Sequence, residues 1–252
     1  MIRLKNAAEI SRIREASAVL ARTLQELAGL VREGISTAEL DDFAREVLRQ
    51  RGGEPAFLGY NRFPASLCVS INEQVIHGIP GRKKLRKGDI VGLDIGINLG
   101  GYFSDTAVSL PVGAISPQRA RLLAVTRECL ARGVQAAVVG NRISQISAAV
   151  YEHARANGFE VVRQFCGHGV GFALHEEPQV PNYVSSGPNP RLKPGMVLAL
   201  EPMLNAGTWE VEVLGDDWTV VTADRSDSAH FEHTIVIHKD RTEVLTGSEL
   251  LP

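Results

Sequence analysis

The chain has 252 residues, 44% of them hydrophobic, which suits one large globular domain or two small ones. Its 27 basic and 29 acidic side chains give a formal net charge of -2, which argues against a nucleic-acid-binding or membrane-surface protein. No apolar run approaches the roughly 20 residues of a spanning helix, and the N-terminus lacks the apolar core of a signal peptide. Three cysteines without metal-type spacing predict buried thiols in a cytoplasmic protein.

The first fifty residues predict two helices. The first starts at Asn6 or Ser11, carries an apolar stripe at helical spacing and ends at Gly34. Ser36 and Glu39 form a capping box for the second helix, which the glycines at positions 52 and 53 close.

Residues 89–105 predict a β-hairpin that carries two carboxylates. Its first strand has strictly alternating apolar residues, namely Val91, Leu93, Ile95 and Ile97. Asp94 lies on this strand and Asp105 on the returning one, with a glycine-containing turn between them. A bare carboxylate among apolar neighbours is costly, so both acids require a cation or strong hydrogen-bond donors.

The second half repeats this order. Ser116 and Pro117 start a third helix that runs through Val139, and a fourth starts at Ser144 and ends at the turn at 157–158. Strands and loops follow from residue 159 to the end.

Two self-matches indicate an internal repeat. The segment that ends at Asp94 aligns with the segment that ends at Glu201, 107 positions later, and the helix start at Ser36 aligns with Ser144, 108 positions later. We therefore predict two related αβ halves that face each other, roughly 1–112 and 113–252, within one domain spanning 1–252.

Five side chains form a candidate metal site: Asp94, Asp105, His168, Glu201 and Glu232. Four ionised carboxylates balance two divalent ions when the imidazole is neutral, and oxygen ligands with one nitrogen suit Mn, Fe(II), Co or Zn. The repeat leaves the fifth ligand open, because the position 107 residues after Asp105 is Glu212 rather than Glu232.

Each residue alone has a simpler explanation. Asp94 suits a buried acid paired with arginine, His168 a hydrogen-bonded structural histidine, and Glu232 a strand-edge charge. Their joint occurrence favours the metal site, because the strands lack basic partners.

Several motifs resemble type I methionine aminopeptidases of the bacterial short form, within the pita-bread metallopeptidase family. The matching stretches are Ser70-Ile71-Asn72-Glu73, His77-Gly78-Ile79-Pro80, Asp94 with Asp105, Cys166-Gly167-His168-Gly169, His175-Glu176-Glu177-Pro178, Glu201-Pro202-Met203, Asp224-Arg225-Ser226 and Phe231-Glu232-His233-Thr234. Together these stretches follow the family's order and spacing over nearly the whole chain. Only 33 positions separate His168 from Glu201, too few for the insert of type II enzymes, and no cysteine-rich N-terminal extension is expected.

The resemblance implies an α+β pita-bread fold, in which two pseudo-symmetric αβ halves carry antiparallel sheets flanked by helices. It selects Glu232 over Glu212 as the fifth ligand and implies that Asp105 and Glu232 bridge two ions. The implied activity removes an N-terminal methionine that precedes a small residue, using a metal-bridging hydroxide. Glu201 then acts as proton shuttle, His175 polarises the scissile amide and His77 lies near the leaving amine.

The resemblance also implies an apolar pocket for the methionine side chain. Its walls comprise Phe57, Tyr60, Phe63, Cys68, Leu174 and Trp218. Phe57, Phe63 and Leu174 depart from the family's commonest residues but remain apolar, so methionine preference is expected to survive. Asn72 and Ser228 match positions that hold a monovalent cation in relatives, although either also suits a turn.

Two other functions stay open at this point. Xaa-Pro aminopeptidases share the five ligands and the Gly-Tyr-x-x-Asp hairpin that ends at Asp105, but they carry a further N-terminal domain. Pita-bread proteins that have lost ligands serve as binding modules without activity, whereas all five ligands are present here. The basic turn at 81–87 suits either a transient ribosome contact or a solvated loop, and the resemblance favours a monomer.

Overall fold

The computed structural model describes residues 1–247, so the last five positions of the predicted second half lie outside the described residues. Its α-helices are α1 (Ala7–Leu30), α2 (Thr37–Gln50), α3 (Pro117–Ala136) and α4 (Ile143–Ala156), and a 3-10 turn spans Tyr60–Arg62. The strands are β1 (Glu54–Pro55), β2 (Leu67–Ile71), β3 (Gln74–Ile76), β4 (Ile90–Leu99), β5 (Tyr102–Pro111), β6 (Glu160–Val161), β7 (Gly167–Gly169), β8 (Glu176–Val180), β9 (Val197–Leu200), β10 (Met203–Asn205), β11 (Val211–Val213), β12 (Val220–Thr222), β13 (Ser228–His230), β14 (Glu232–Ile237) and β15 (Thr242–Val244).

The helix starts follow local capping chemistry. Asn6 caps α1 in a capping box with Glu9, and Ser36 caps α2 through the predicted box with Glu39. Ser116 caps α3, with proline at the first helical position.

The helix ends are less well predicted. α1 ends at Leu30 rather than at the glycine four residues later, and α3 ends at Ala136 rather than Val139. α4 begins at Ile143, one residue before Ser144. Glycine at 34 instead takes a left-handed φ of +87° in the loop that follows α1.

All strand pairs are antiparallel, and the largest sheet has nine strands. Its order is β1-β4-β5-β14-β9-β7-β8, with β2 paired to β4 and β15 to β14. Two three-stranded sheets, β13-β10-β6 and β11-β12-β3, complete the described part of the fold.

The two halves meet edge to edge in the large sheet. β5 of the predicted first half pairs with β14 of the predicted second half, so strands from both halves share one sheet. The physical reason is that β5 and β14 each still have a free edge, which pairing satisfies with backbone hydrogen bonds.

α1 packs across the hairpin strands β4 and β5, while α3 packs against α4. The apolar stripe of α1 is buried as predicted and contributes Leu20, Leu24 and Leu27 to the main core. Among residues 1–247, no helix combines the length and the apolar character needed to cross a bilayer.

Candidate metal centre

The hairpin sets Asp94 and Asp105 on one face of the large sheet. Asp94 lies opposite Ala107 and Asp105 opposite Gly96 in the β4–β5 register. Because side chains alternate between faces, residues two apart on a strand share a face, so both carboxylates project the same way. The apolar alternation of β4 points to the other face, where Ile95 is fully buried in the core.

β14 and β7 add two further groups to this face. Glu232 lies opposite Ala107, which places it in the same cross-strand row as Asp94. His168 lies opposite Ala199 on β9. One ligand atom from each of Asp105, His168 and Glu232 falls within 4.8 Å of the others, an arrangement able to hold a metal ion.

Glu201 directly follows β9 and completes the predicted set. Its Oε1 lies 3.6 Å from His168 Nε2, and its Oε2 lies 3.6 Å from Nε2 of His230. The side-chain amide of Asn182 donates to the Glu201 carbonyl oxygen at 3.0 Å, which fixes the backbone at this position.

The four carboxylates cluster without a basic partner; Asp105 and Glu232 are buried, and Asp94 and Glu201 are partly buried. Burial raises the pKa of Asp94 to about 7, and it raises the pKa of Asp105, Glu201 and Glu232 well above the usual range, with the charge of Asp94 adding to each. Within residues 1–247, no lysine or arginine forms an ion pair with any of them. Asp94 Oδ1 and Glu232 Oε1 are buried without a hydrogen-bond partner. Divalent cations fit this donor set, because they neutralise the charge and occupy the orphaned oxygens.

The tautomer of His168 suits metal binding. Its Nδ1 lies 2.9 Å from the Gly169 carbonyl oxygen, which only accepts, so Nδ1 carries the hydrogen and Nε2 presents its lone pair. Burial lowers the pKa of this imidazole to about 3, which keeps it neutral. A Cβ on Gly167 would lie 2.4 Å from the Ala199 oxygen, so close strand packing requires that glycine.

Two more predicted histidines border the same cavity. The ring centroids of His175 and His168 are 4.2 Å apart, and His175 Nδ1 lies 2.9 Å from the Tyr60 hydroxyl. His77 has a left-handed φ of +58°, and its ring packs edge-on against Trp218. Strain of this kind in a non-glycine residue concentrates at functional sites. Burial lowers the pKa of His77 to about 4.

The other wall of the cavity is apolar, and the cavity volume is about 390 Å³. Phe57, Phe63, Cys68 and Leu174 form a buried cluster, against which Trp218 packs. All six predicted pocket residues line this cavity together with the five predicted ligands, His77 and His175.

Further lining residues were not predicted as site residues: Asn61, Ile76, Gln164, Phe165, Cys166 and Gln179. Asn61 and Ile76 adjoin predicted site residues along the chain, and Cys166 belongs to a quoted motif. Gln164, Phe165 and Gln179 reach the cavity through the tertiary fold and carried no such signal in the sequence. His230 was also not predicted as a site residue. It lies beside Glu201 because β13 pairs with β10, and this long-range pairing cannot be read from the sequence.

Asn72 and Ser228 are neighbours in space. The Ser228 N–H donates to the Asn72 carbonyl oxygen at 2.9 Å, and Asn72 has a left-handed φ of +56°. The Asn72 amide also bonds Asp89 and the Ile90 N–H. A monovalent cation here stays a prediction.

Comparison with known proteins identifies the family. The model of Metallopeptidase family M24 matches residues 11–239. A methionine aminopeptidase from Treponema pallidum is 50% identical over 247 residues, which cover 98% of this chain and 96% of the relative. Methionine aminopeptidase 1 from Bacillus subtilis is 49% identical over 246 residues, covering 98% and 99%.

Solved structures support the same family assignment. Methionine aminopeptidase from Rickettsia prowazekii superposes with a TM-score of 0.96 at 36% identity, covering 98% of this chain and all of that one. The enzyme from Thermotoga maritima gives the same TM-score and coverage at 39% identity. Prolidase from Pyrococcus furiosus matches at a TM-score of 0.79 and 21% identity, with this chain covering 66% of it, and shares the fold alone.

The chain therefore belongs to metallopeptidase family M24, a family of hydrolases that use divalent metal ions. Within that family its relatives define its enzymatic class as that of the methionine aminopeptidases. The family resemblance and the α+β pita-bread fold predicted from sequence are confirmed.

Proposed function

We propose that Asp94, Asp105, His168, Glu201 and Glu232 would hold two divalent ions. The observation that supports this best is the clustering of four carboxylates around one neutral imidazole, with buried, unpaired oxygens on Asp94 and Glu232. When bound, such ions activate water as a nucleophile and polarise a carbonyl oxygen. Mn, Fe(II), Co and Zn all suit the donor set.

The chain's own groups supply proton transfer and positioning. Glu201 borders the cavity and moves the proton from the attacking water to the leaving amine. His175 polarises the scissile amide through a hydrogen bond, with its Nδ1 held by Tyr60. His77 lies near the amide nitrogen and the leaving amine, where its neutral imidazole accepts a hydrogen bond.

The substrate is a peptide or nascent chain with an N-terminal methionine. The methionine side chain suits the apolar wall formed by Phe57, Phe63, Cys68, Leu174 and Trp218. The side chains of Tyr60, His77 and His175 border the cavity beside the carboxylates. They restrict the room for the second residue, so small second residues are preferred.

A peptide panel tests this proposal. Metal-loaded protein is expected to release methionine from Met-Ala-Ser and Met-Gly peptides, to act poorly on Met-Leu and Met-Lys peptides, and to leave Ala-Pro peptides intact. Faster cleavage of Ala-Pro peptides than of Met-Ala-Ser would instead identify an Xaa-Pro peptidase. No peptidase activity and no bound metal would identify a binding module.

We also propose that the protein works in the cytoplasm as a monomer and meets nascent chains at the ribosome. Five basic side chains of the turn at 81–87 are exposed: Arg82, Lys83, Lys84, Arg86 and Lys87. Exposed clusters of positively charged side chains attract phosphate-rich surfaces. Replacing all five with glutamate is expected to abolish co-sedimentation with ribosomes, whereas unchanged co-sedimentation would make the turn a solvated loop.

A further inference from the structure

His230 is a buried histidine whose backbone is fixed in place. It is only 4% exposed and lies opposite Met203 in the β10–β13 pair. Its N–H donates to Ser109 Oγ at 3.0 Å, and the Ser109 hydroxyl donates back to the His230 carbonyl oxygen at 2.9 Å. The imidazole is thus attached to a rigid strand.

The side chain of His230 points at Glu201. Its Nε2 lies 3.6 Å from Glu201 Oε2 and has no hydrogen-bond partner among the described residues. A buried polar nitrogen without a partner costs about 1–3 kcal/mol, so a nearby acceptor is strongly favoured as its partner. The 3.6 Å separation exceeds the usual N–H···O upper distance of about 3.2 Å by only about 0.4 Å.

The two oxygens of Glu201 therefore face two different imidazoles. His168 Nε2 lies 3.6 Å from Oε1 and presents a lone pair, because its Nδ1 carries the hydrogen. A lone pair facing an ionised carboxylate is repulsive, so either a proton on Glu201 or a metal cation is needed to join the two groups. On the Oε2 side, a neutral imidazole attracts the carboxylate only when Nε2 carries the hydrogen.

We propose that His230 is a positioning residue whose Nε2–H donates to Glu201 Oε2 and leaves Oε1 free to face His168 and the metal. The cavity wall includes Glu201 but, among the described residues, does not include His230. His230 thus acts through Glu201. This inference rests on the proposed metal centre, and its metal-binding test does not depend on the proposed substrate.

Metal binding to the chelated protein gives a direct test. His230→Leu removes the donor, and His230→Gln keeps a donating amide of similar reach. Titration calorimetry with Mn is expected to show affinity for one ion weakened by about 10–100-fold in His230→Leu, the usual effect of losing an outer hydrogen bond to a ligand. His230→Gln is expected to restore affinity to within about tenfold of the parent.

Turnover supplies a second readout. For Met-Ala-Ser, kcat is expected to fall in His230→Leu while KM stays within about twofold, because His230 does not line the cavity. His153→Leu is the matched control, since His153 also pairs with a carboxylate, that of Glu128, at 2.7 Å. This control is expected to leave both metal affinity and kcat unchanged.

Three results overturn the inference. Parental metal affinity and kcat in His230→Leu would remove any role for the hydrogen bond. Equal weakening in His230→Leu and His230→Gln would deny the donor role. If His230→Leu does not fold, the absorption spectrum of Co(II) bound to His230→Gln decides: a parental spectrum is expected, and an altered one would make His230 a ligand. A parental protein that binds no metal would instead overturn the proposed metal centre itself.

Discussion

Thr234 satisfies both backbone groups of Asp105. Its Oγ1 accepts from the Asp105 N–H at 3.1 Å and donates to the Asp105 carbonyl oxygen at 2.8 Å. Thr234 lies on β14 and Asp105 on β5, so this side chain joins the two halves of the fold at the carboxylate cluster. Ser104 donates to the same hydroxyl at 3.2 Å and connects it to Ser17 on α1.

Replacing Thr234 with valine tests the contribution of these hydrogen bonds between β5 and β14. Valine keeps the shape but leaves the buried Asp105 N–H and carbonyl without their partner, so the free energy of unfolding is expected to fall by about 1–3 kcal/mol. Thr234→Ser is the control, because it keeps the hydroxyl and loses only a methyl group. A denaturant titration in which Thr234→Val is as stable as the parent would contradict the proposed contribution of these bonds.

Asp105→Asn tests the role of the Asp105 carboxylate in the proposed metal centre. It keeps the size of the side chain but removes one negative charge from the site, so methionine release from Met-Ala-Ser is expected to fall by about 100-fold or more, with the fold retained. Circular dichroism and metal content are measured on the same samples. Metal-loaded Asp105→Asn that releases methionine at the parental rate would show that the site is wrongly assigned.

The same variant isolates a pH effect in the chelated protein. The pKa of Asp105 is raised in the folded state, so the folded protein retains a proton that the unfolded chain loses above about pH 4. Stability associated with this group is therefore present at low pH and lost as pH rises. Relative to Asp105→Asn, the chelated parent is expected to lose stability as pH rises from about 4 to about 7. Parallel stability curves for the two proteins over this range would contradict the raised pKa.

The buried ion pair between Lys5 and Glu176 supports the loop that carries Leu174 and His175. Lys5 Nζ lies 2.7 Å from Glu176 Oε2, with the side chains 1% and 6% exposed. Glu176 Oε1 accepts from the N–H of Phe172 at 2.6 Å, which shapes the loop.

Lys5→Met is expected to lower the free energy of unfolding by about 3–5 kcal/mol, because it leaves the buried carboxylate of Glu176 without a positively charged partner. It is also expected to raise KM for Met-Ala-Ser. The double variant Lys5→Met with Glu176→Gln is expected to regain part of the stability. A loss below about 1 kcal/mol in Lys5→Met, as for a surface pair, would contradict this account.

Features set by neighbouring residues were predictable from sequence. The caps at Asn6, Ser36 and Ser116 and the hairpin carrying Asp94 and Asp105 depend on contacts within a few positions. The predicted repeat aligned Asp94 with Glu201, and both residues line the same cavity. Helix ends were less predictable, since the first helix stops at the C-cap Val31, three residues before the glycine.

Long-range pairing gives the two glutamates that periodicity left open different surroundings. Glu212 lies on β11 in a separate sheet and pairs at the surface with Arg225 at 2.8 Å, whereas β14 carries Glu232 against β5. Both glutamates suit a strand, so only the pairing partners distinguish them. The same limit applies to His230, whose neighbour Glu201 is 29 positions away in the sequence.

The proposed activity depends on divalent metal held by the carboxylate cluster. The direct measurement is methionine release from Met-Ala-Ser by protein stripped with a chelator and then supplied with Mn, Fe(II), Co or Zn singly. We expect no release from the stripped protein and recovery with at least one ion. Parental turnover by protein verified to be free of metal would contradict the account.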